Sequence, residues 1–142
     1  METDFIKKSV VVRTDINNAW DCISKISSLN WLENQKSTKF LSQKKRGVGA
    51  IRLISFEDGS NVEERIVGWH PKKHFSYIAT SGLPLNSYHA TISMNKIKSG
   101  VKITWESYFS SNEEKPDFQT FTKFLSQFYV SSLKNLKVEL EK

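Results

Sequence analysis

Two oppositely charged side chains stand in a segment that is otherwise rich in apolar residues. Residues 50–66 read AIRLISFEDGSNVEERI, which includes Arg52 and Glu64. A guanidinium can hold a carboxylate, a phosphate or a carbonyl oxygen, and a carboxyl group in an apolar site can exchange a proton near neutral pH. These two residues are the first candidates for chemistry, provided that the fold brings them together on a buried surface.

A β-hairpin around the EDG turn would bring them together. A three-residue EDG loop, with Gly59 in the left-handed region as a G1 bulge, is a common hairpin connection. This loop places Arg52 opposite Glu64 and Ile54 opposite Val62, and opposed side chains share one face of a sheet. A two-residue loop would shift the register by one residue and break this opposition. We take the face that carries the pair as concave, because it is the more apolar of the two.

Three roles are open to such a pair. Desolvation makes a buried ion pair a poor stabiliser, so charges kept in an apolar cleft are candidate functional groups. Arg52 would anchor the polar or anionic group of an otherwise apolar ligand. If the protein is an enzyme, Glu64 would instead act as acid and base while Arg52 stabilises a developing oxyanion. The third role is structural, with the pair bracing the two strands of the hairpin.

Hydrophobic periodicity predicts the elements that position the pair. A strand near the N-terminus is followed by two short helices and then by a six-strand meander that contains the hairpin. Outside the hairpin, the segments are 4–13 for the first strand, TDINNAWDCIS and ISSLNWLEN for the helices, and 36–43, 73–81, 87–97 and 101–109 for the other strands. Apolar residues at intervals of three to five predict a long amphipathic helix over 116–140. The sheet can bury its apolar face by curling around that helix, which predicts an α+β domain.

The same alternation identifies side chains that would surround a ligand between the sheet and the long helix. They are Ile54, Phe75, Tyr77, Tyr88, Met94 and Trp105 from the strands, and Phe121, Leu125 and Phe128 from the helix. The two tyrosines could offer hydroxyl groups to the ligand. Each of these residues would serve equally well as ordinary core.

Length and composition limit the function classes. A chain of 142 residues is typical of one domain, which we place at 1–142. The net charge of +6 comes from scattered basic residues without the interleaved aromatics of a nucleic-acid groove, so no nucleic-acid partner is expected. The single cysteine, the lack of a secretory signal and the lack of a long apolar window predict a cytoplasmic protein without stable membrane insertion.

No cofactor and no metal are expected. The GVG at 47–49 is a turn that leads into a strand and lacks the pattern of a phosphate-binding loop. His70 and His74 have an H-x3-H spacing, but Pro71 between them opposes the helix that would place both imidazoles on one side. Serine, histidine and aspartate all occur, but no nucleophile-elbow motif joins them.

The order of these elements, together with particular motifs, resembles the START-like or helix-grip (SRPBCC) superfamily, and within it the polyketide cyclase/dehydrase-type branch. The motifs that carry the resemblance are AWDCIS, NWLEN, GVGAIR, DGSNVEERI, FSYIATSGLPLNSYHATISM, VKITWESYF and FYVSSLKNLKVELE. They cover nearly the whole chain. The resemblance implies a helix-grip fold, in which a curved antiparallel sheet of about seven strands wraps around a long C-terminal helix, with two short helices after the first strand.

The resemblance also implies a cavity between the sheet and the long helix. Members bind lipids, hormones, polyketides or quinones there, and some catalyse cyclisation, dehydration or isomerisation. The arginine of GAIR and the glutamate of EERI occupy recurrent positions in this branch. Fold alone does not select a role. We predict binding of a small hydrophobic molecule that carries a polar or anionic group.

Two alternatives to simple ligand binding stay open. The first is a cofactor-free cyclase, dehydratase or isomerase that uses Glu64 and Arg52. The second is a regulatory domain that binds a protein partner, which an exposed apolar patch around the GLPLN loop at 82–86 would favour.

Overall fold

Seven strands and two helices make up the computed structural model, which describes residues 1–142. In chain order they are β1 (Glu2–Val12), α1 (Ile16–Ile23), β2 (Gln35–Phe40), β3 (Ile51–Phe56), β4 (Asn61–His70), β5 (His74–Ser81), β6 (Ser87–Ile97), β7 (Gly100–Ser111) and α2 (Lys115–Leu140). The strands form one sheet in the order β1-β7-β6-β5-β4-β3-β2, and every neighbouring pair is antiparallel. The predicted helix-grip α+β fold is confirmed.

The core lies between the inner face of the sheet and α2. Strands β3 to β7 bury about every second residue along much of their length, as a sheet with one wet face requires. In β6 the buried side chains are Tyr88, Ala90, Ile92 and Met94, and in β7 they include Val101, Ile103, Trp105 and Phe109. Along α2 they are Phe118, Leu125, Tyr129, Ser132, Leu133 and Leu136. The long helix therefore covers the concave side of the sheet.

The helices begin where the sequence provides start signals. The carboxylate of Asp15 accepts a hydrogen bond from the backbone N–H of Asn18 at 2.8 Å and caps α1. Pro116 stands in the first turn of α2, where its missing N–H costs nothing. Neither helix combines the length and the apolar composition that a membrane crossing requires.

The second short helix predicted for ISSLNWLEN is wrong, because residues 24–34 form a series of turns. Tertiary partners take some of the backbone groups that a helix would have used, and local turns take others. The carbonyl of Ile26 accepts from Arg52, and the N–H of Glu33 donates to Ser132 Oγ. The segment still buries apolar side chains, namely Ile26, Leu29, Trp31 and Leu32. It closes the fold beside α2 without adopting a regular repeat.

Candidate functional site

The β3–β4 hairpin has the predicted turn and register. Gly59 has a φ of +89°, and its N–H donates to the carbonyl of Phe56 at 3.0 Å. The N–H of Phe56 in turn donates to the carbonyl of Ser60 at 2.9 Å, which closes the three-residue loop. Arg52 consequently pairs with Glu64 across the two strands, on the inner face of the sheet.

Arg52 and Glu64 form a buried ion pair. The Nε of Arg52 donates to Glu64 Oε1 at 2.9 Å, and Nη2 lies 2.8 Å from the same oxygen. The remaining nitrogen, Nη1, donates to the carbonyl of Ile26 at 2.9 Å. The arginine is 3% exposed and the glutamate 6%. The guanidinium also lies over the ring of Tyr77, 5.0 Å from its centre, a favourable cation–π distance.

Glu64 is the member of the pair with unused capacity. Burial raises the pKa of its carboxyl group, and the neighbouring guanidinium of Arg52 only partly offsets this effect. Oε1 receives both contacts from the arginine, while Oε2 accepts no hydrogen bond from the protein. A carboxyl group in this condition can exchange a proton or accept a hydrogen bond from a guest molecule.

Aromatic residues form the wall next to the ion pair. The indole Nε1 of Trp105 donates to the hydroxyl of Tyr77 at 3.0 Å. Its ring stacks on that of Tyr129, with centroids 3.8 Å apart and planes 9° from parallel. The hydroxyl of Tyr129 is hydrogen-bonded to that of Tyr88. Burial raises the pKa of each of the three tyrosines, so all three hydroxyl groups stay neutral.

A cavity of about 530 Å³ lies between the inner face of the sheet and α2. Arg52 and Glu64 form part of its wall, and most of the remaining lining is apolar and aromatic. This volume falls within the range of about 300–1,000 Å³ that is typical of small-molecule pockets. A second depression, larger at about 800 Å³ but more open to solvent, lies on the outer side of the sheet around Phe5 and Tyr108. It contains neither member of the ion pair.

The mouth of the cavity combines apolar and acidic side chains. Phe124 of α2 lines the cavity although it is 60% exposed, so it stands at the rim. The loop that follows β5 contributes Gly82, Leu83 and Pro84, and the acidic side chains of the lining, apart from Glu64, are Glu33, Glu57 and Asp58. Leu83 and Leu85 are half-buried and pack against the core. The loop therefore closes one side of the mouth.

Comparison with known families decides the classification. Residues 6–141 match the family described as polyketide cyclase / dehydrase and lipid transport. The chain belongs to this family. Its description covers cyclisation, dehydration and lipid transport, so membership in this polyketide cyclase/dehydrase family supports ligand binding or a cyclase-type reaction. Comparison with curated protein sequences gives no match.

Solved structures show the same fold at low sequence identity. An uncharacterized protein from Bacillus thuringiensis has 20% identity and a TM-score of 0.81, covering 96% of this chain and 98% of its own. Ara h 8.0201 has 14% identity and a TM-score of 0.80, with 98% of each chain covered. The Zhui aromatase/cyclase from Streptomyces sp. R1128 has 8% identity and a TM-score of 0.82, covering 98% of this chain and 94% of its own.

Ten of the eleven side chains predicted to surround a ligand line the cavity of this polyketide cyclase/dehydrase-family domain. They are Arg52, Ile54, Glu64, Phe75, Tyr77, Tyr88, Trp105, Phe121, Leu125 and Phe128. Met94 is the exception. It is buried in the core, but it lies beyond Ile92 along β6 and does not border the cavity. Alternation predicts which face of a strand a residue occupies, and it contains no information on the position along that face.

Sequence patterns missed the part of the wall that comes from residues 24–34. Leu29, Trp31 and Leu32 line the cavity, and Trp31 makes an edge contact with Trp105 at a centroid distance of 6.0 Å. Tyr129 was also missed, although it holds the Trp105 ring in place. The apolar spacing of this segment predicts a helix, so it does not indicate that the segment forms turns in the cavity wall. The only sequence indication is the concentration of apolar residues in SLNWLEN.

The tyrosine network provides a first test of this wall. We expect Tyr129→Phe to lower the free energy of unfolding by about 1–2 kcal/mol, because the buried hydroxyl of Tyr88 then loses its partner. Tyr108→Phe is the matched control, since Tyr108 is 59% exposed on the outer face, and it should change stability by less than about 0.5 kcal/mol. Urea denaturation measures both. Equal effects would contradict the network.

Proposed function

We propose that this domain binds a small, largely apolar molecule in the cavity between the sheet and α2, with the Arg52–Glu64 pair beside the polar group of that molecule. The observation that carries the proposal is an internal cavity of about 530 Å³ with an apolar, aromatic lining and one charged pair in its wall. Membership in a family that includes lipid transport supports the same function.

The size of the cavity argues for a guest molecule. Protein interiors are close-packed, and their few voids are rarely much larger than a water molecule, which occupies about 30 Å³ in the liquid. A space of about 530 Å³ is many times larger. Water in an apolar space of this kind finds few hydrogen-bonding partners. An apolar guest would therefore gain free energy by replacing that water, at about 25 cal/mol for each Å² of apolar surface buried.

A cavity-filling variant tests the proposal. Val62 lines the cavity from β4, so Val62→Trp should fill part of the space and lower the affinity for the neutral dye Nile red by about tenfold or more. Val67→Trp is the matched control, because Val67 belongs to the same strand but is 39% exposed on the outer face. We expect that variant to bind the dye as the parent protein does. Dye fluorescence measures binding, and thermal unfolding confirms that both variants fold.

Native mass spectrometry of the same three proteins gives an independent result. A small molecule that co-purifies with the parent protein and with Val67→Trp, but not with Val62→Trp, would support the cavity as the binding site. If the dye and any co-purifying molecule bind Val62→Trp as well as they bind the parent protein, the proposal is wrong. The mass of a retained molecule would also identify its chemical class.

An enzymatic function is the second candidate, and one observation favours it. Glu64 has a raised pKa and an oxygen that makes no hydrogen bond within the protein, as a general acid or base requires. In a cyclase, dehydratase or isomerase, Glu64 would move the proton and Arg52 would stabilise the developing oxyanion. Glu64→Gln should then accumulate a bound species that native mass spectrometry does not detect on the parent protein. A ligand retained equally by both proteins would favour binding without chemistry.

A further inference from the structure

We infer that the ligand presents a neutral hydrogen-bond donor, a hydroxyl or an N–H group, to the free oxygen of Glu64 and carries no negative charge. The inference rests on the proposed function and narrows the polar or anionic group predicted from the sequence. Three features of the site support it: the contacts of Arg52, the free oxygen of Glu64, and the balance of charge around the cavity.

Protein oxygens contact all three nitrogens of the Arg52 guanidinium, which takes three of its five N–H groups. Nε and Nη2 contact Glu64 Oε1, and Nη1 donates to the carbonyl of Ile26. A ligand carboxylate would compete with Glu64 for the same cation. Two carboxylates that share one guanidinium in a buried site repel each other, so one of them must take up a proton or leave. The arginine is therefore a weak anchor for an anion here.

Glu64 Oε2 is the acceptor that the protein leaves open. It receives no hydrogen bond from any protein group. The fully occluded side-chain polar atoms that lack a partner are Trp31 Nε1 and Ser107 Oγ, so Oε2 retains contact with open space. The open space beside Glu64 is the cavity, which this residue lines. A carboxylate oxygen can only accept hydrogen bonds, so its partner must be a donor.

The charges around the cavity also disfavour an anion. The lining contains the carboxylates of Glu33, Glu57, Asp58 and Glu64, and Arg52 is its single basic residue. The whole chain has a net charge of +6, so the acidic lining is opposite in sign to the rest of the protein. A cleft lined with one sign of charge lowers the local concentration of ligands of that sign. The mouth therefore selects against anions before they reach the ion pair.

Matched naphthalene probes test the inference by isothermal titration calorimetry at pH 7 and constant ionic strength. The probes are 2-naphthol, which offers a neutral hydroxyl, 2-naphthoate, which offers an anion, and 2-methylnaphthalene, which offers neither. We expect 2-naphthol to bind about tenfold or more tightly than either of the others, because a hydrogen bond to a charged acceptor is roughly twice as strong as one between neutral groups. The similar size of the probes keeps the buried apolar surface nearly constant.

Two variants connect the selectivity to the residues. Glu64→Gln should abolish the preference for 2-naphthol and raise the affinity for 2-naphthoate, because the guanidinium of Arg52 loses its competing carboxylate. Glu57→Gln removes one exposed mouth charge, which is not part of the ion pair. It should raise the affinity for 2-naphthoate by about twofold at low salt, which is more than it changes the affinity for the neutral 2-naphthol. If Glu64→Gln does not fold, Glu57→Gln still tests whether the acidic lining selects against anions.

The outcomes separate the inference from the proposed function. Binding of 2-naphthoate as tightly as 2-naphthol, with 2-methylnaphthalene also bound, would overturn the inference and leave the hydrophobic site intact. Equal binding of 2-naphthol and 2-methylnaphthalene would show that Glu64 receives no hydrogen bond, and it would also overturn the inference. Binding of none of the three probes would contradict the proposed function itself, and the inference would fail with it.

Discussion

Replacing Glu64 with leucine should lower the free energy of unfolding by about 3–5 kcal/mol, because it leaves the guanidinium of Arg52 buried without a counter-charge. A guanidinium cannot lose its proton in a protein, so the charge stays buried at every accessible pH. At acidic pH, Arg52→Met should lower the free energy of unfolding by less than Glu64→Leu does, since the carboxyl group that it leaves behind can take up a proton. Urea denaturation at pH 5 and at pH 7 measures both variants.

The direction of the pH effect follows from the raised pKa of Glu64. In the folded protein burial lifts this pKa above the ordinary value of 4.5. The folded state therefore binds the proton more tightly than the unfolded state, and the resulting stabilisation is present below pH 4.5 and lost as the pH rises through the folded pKa. Removal of the Arg52 charge raises the pKa further. Arg52→Met should accordingly lose stability, relative to the parent protein, as the pH increases from 5 to 7.

The double variant Arg52→Met/Glu64→Leu is the control for both single changes. It removes both charges and retains side chains of similar volume, so its stability should be close to that of the parent protein, as for other buried ion pairs replaced by apolar residues. The carbonyl of Ile26 loses its donor in this variant, which limits the recovery by about 1 kcal/mol. Single variants that each cost less than about 1 kcal/mol, with no pH dependence, would mean that solvent reaches the pair.

Recovery of stability in the double variant would also bear on function. A pair that contributes no net stability has no structural reason to be charged, and binding or catalysis then becomes the explanation for its presence. We expect the double variant to fold and to lose the preference for 2-naphthol. If it kept that preference, another group would be the acceptor, and the assignment of Glu64 would be wrong.

The parts of the site that follow local rules were predictable from the sequence. The length of the EDG loop and the glycine at its third position determine the hairpin register, and that register alone places Arg52 opposite Glu64. Alternation along the strands was sufficient to assign Phe75, Tyr77 and Trp105 to the inner face. These inferences involve residues that are close in sequence or in strand pairing, so few tertiary contacts can overrule them.

The parts that depend on long-range contacts were not predictable. Residues 24–34 have apolar residues at helical spacing, but three of their backbone groups bond to the side chains of Arg52, Ser132 and Asn135. These partners lie 26 to 104 positions away in the chain. Tertiary contacts of this kind can override the helix propensity of a local segment. The role of Tyr129 depends in the same way on its stacking against Trp105. Neither contact leaves a periodic signal in the sequence.

Replacing Gly82 with alanine should displace the loop that closes the mouth of the cavity. Gly82 has a φ of +100°, and an added Cβ would lie 2.0 Å from the carbonyl oxygen of Asn61 and 2.8 Å from the Cα of Val62. These atoms belong to the backbone, so no side-chain rotation can relieve the overlap. The loop has to move by more than an ångström or the strand has to yield, and we expect a loss of about 2–5 kcal/mol from the combined strain and overlap.

Gly59→Ala is the matched control for this change. Gly59 has a similar φ of +89°, but no atom lies within 4 Å of an added Cβ. It therefore suffers the backbone strain alone, which costs about 1–2 kcal/mol. Subtracting the loss of stability in Gly59→Ala from the loss in Gly82→Ala gives the cost of the steric overlap. Urea denaturation of both variants gives the two free energies, and equal losses would mean that the contact between the loop and β4 is not a tight one.

The same pair of variants tests whether the loop controls access to the cavity. Gly82 and Pro84 line the cavity, and the loop is held to β7 by a hydrogen bond from Ser111 Oγ to the carbonyl of Pro84 at 3.2 Å. Displacing the loop widens the mouth, so bound Nile red should dissociate faster from Gly82→Ala than from Gly59→Ala in stopped-flow measurements. Identical dissociation rates would place the entrance elsewhere, with the rim of Phe124 on α2 as the remaining route. Faster release from Gly82→Ala alone would identify the loop after β5 as the element that retains the ligand.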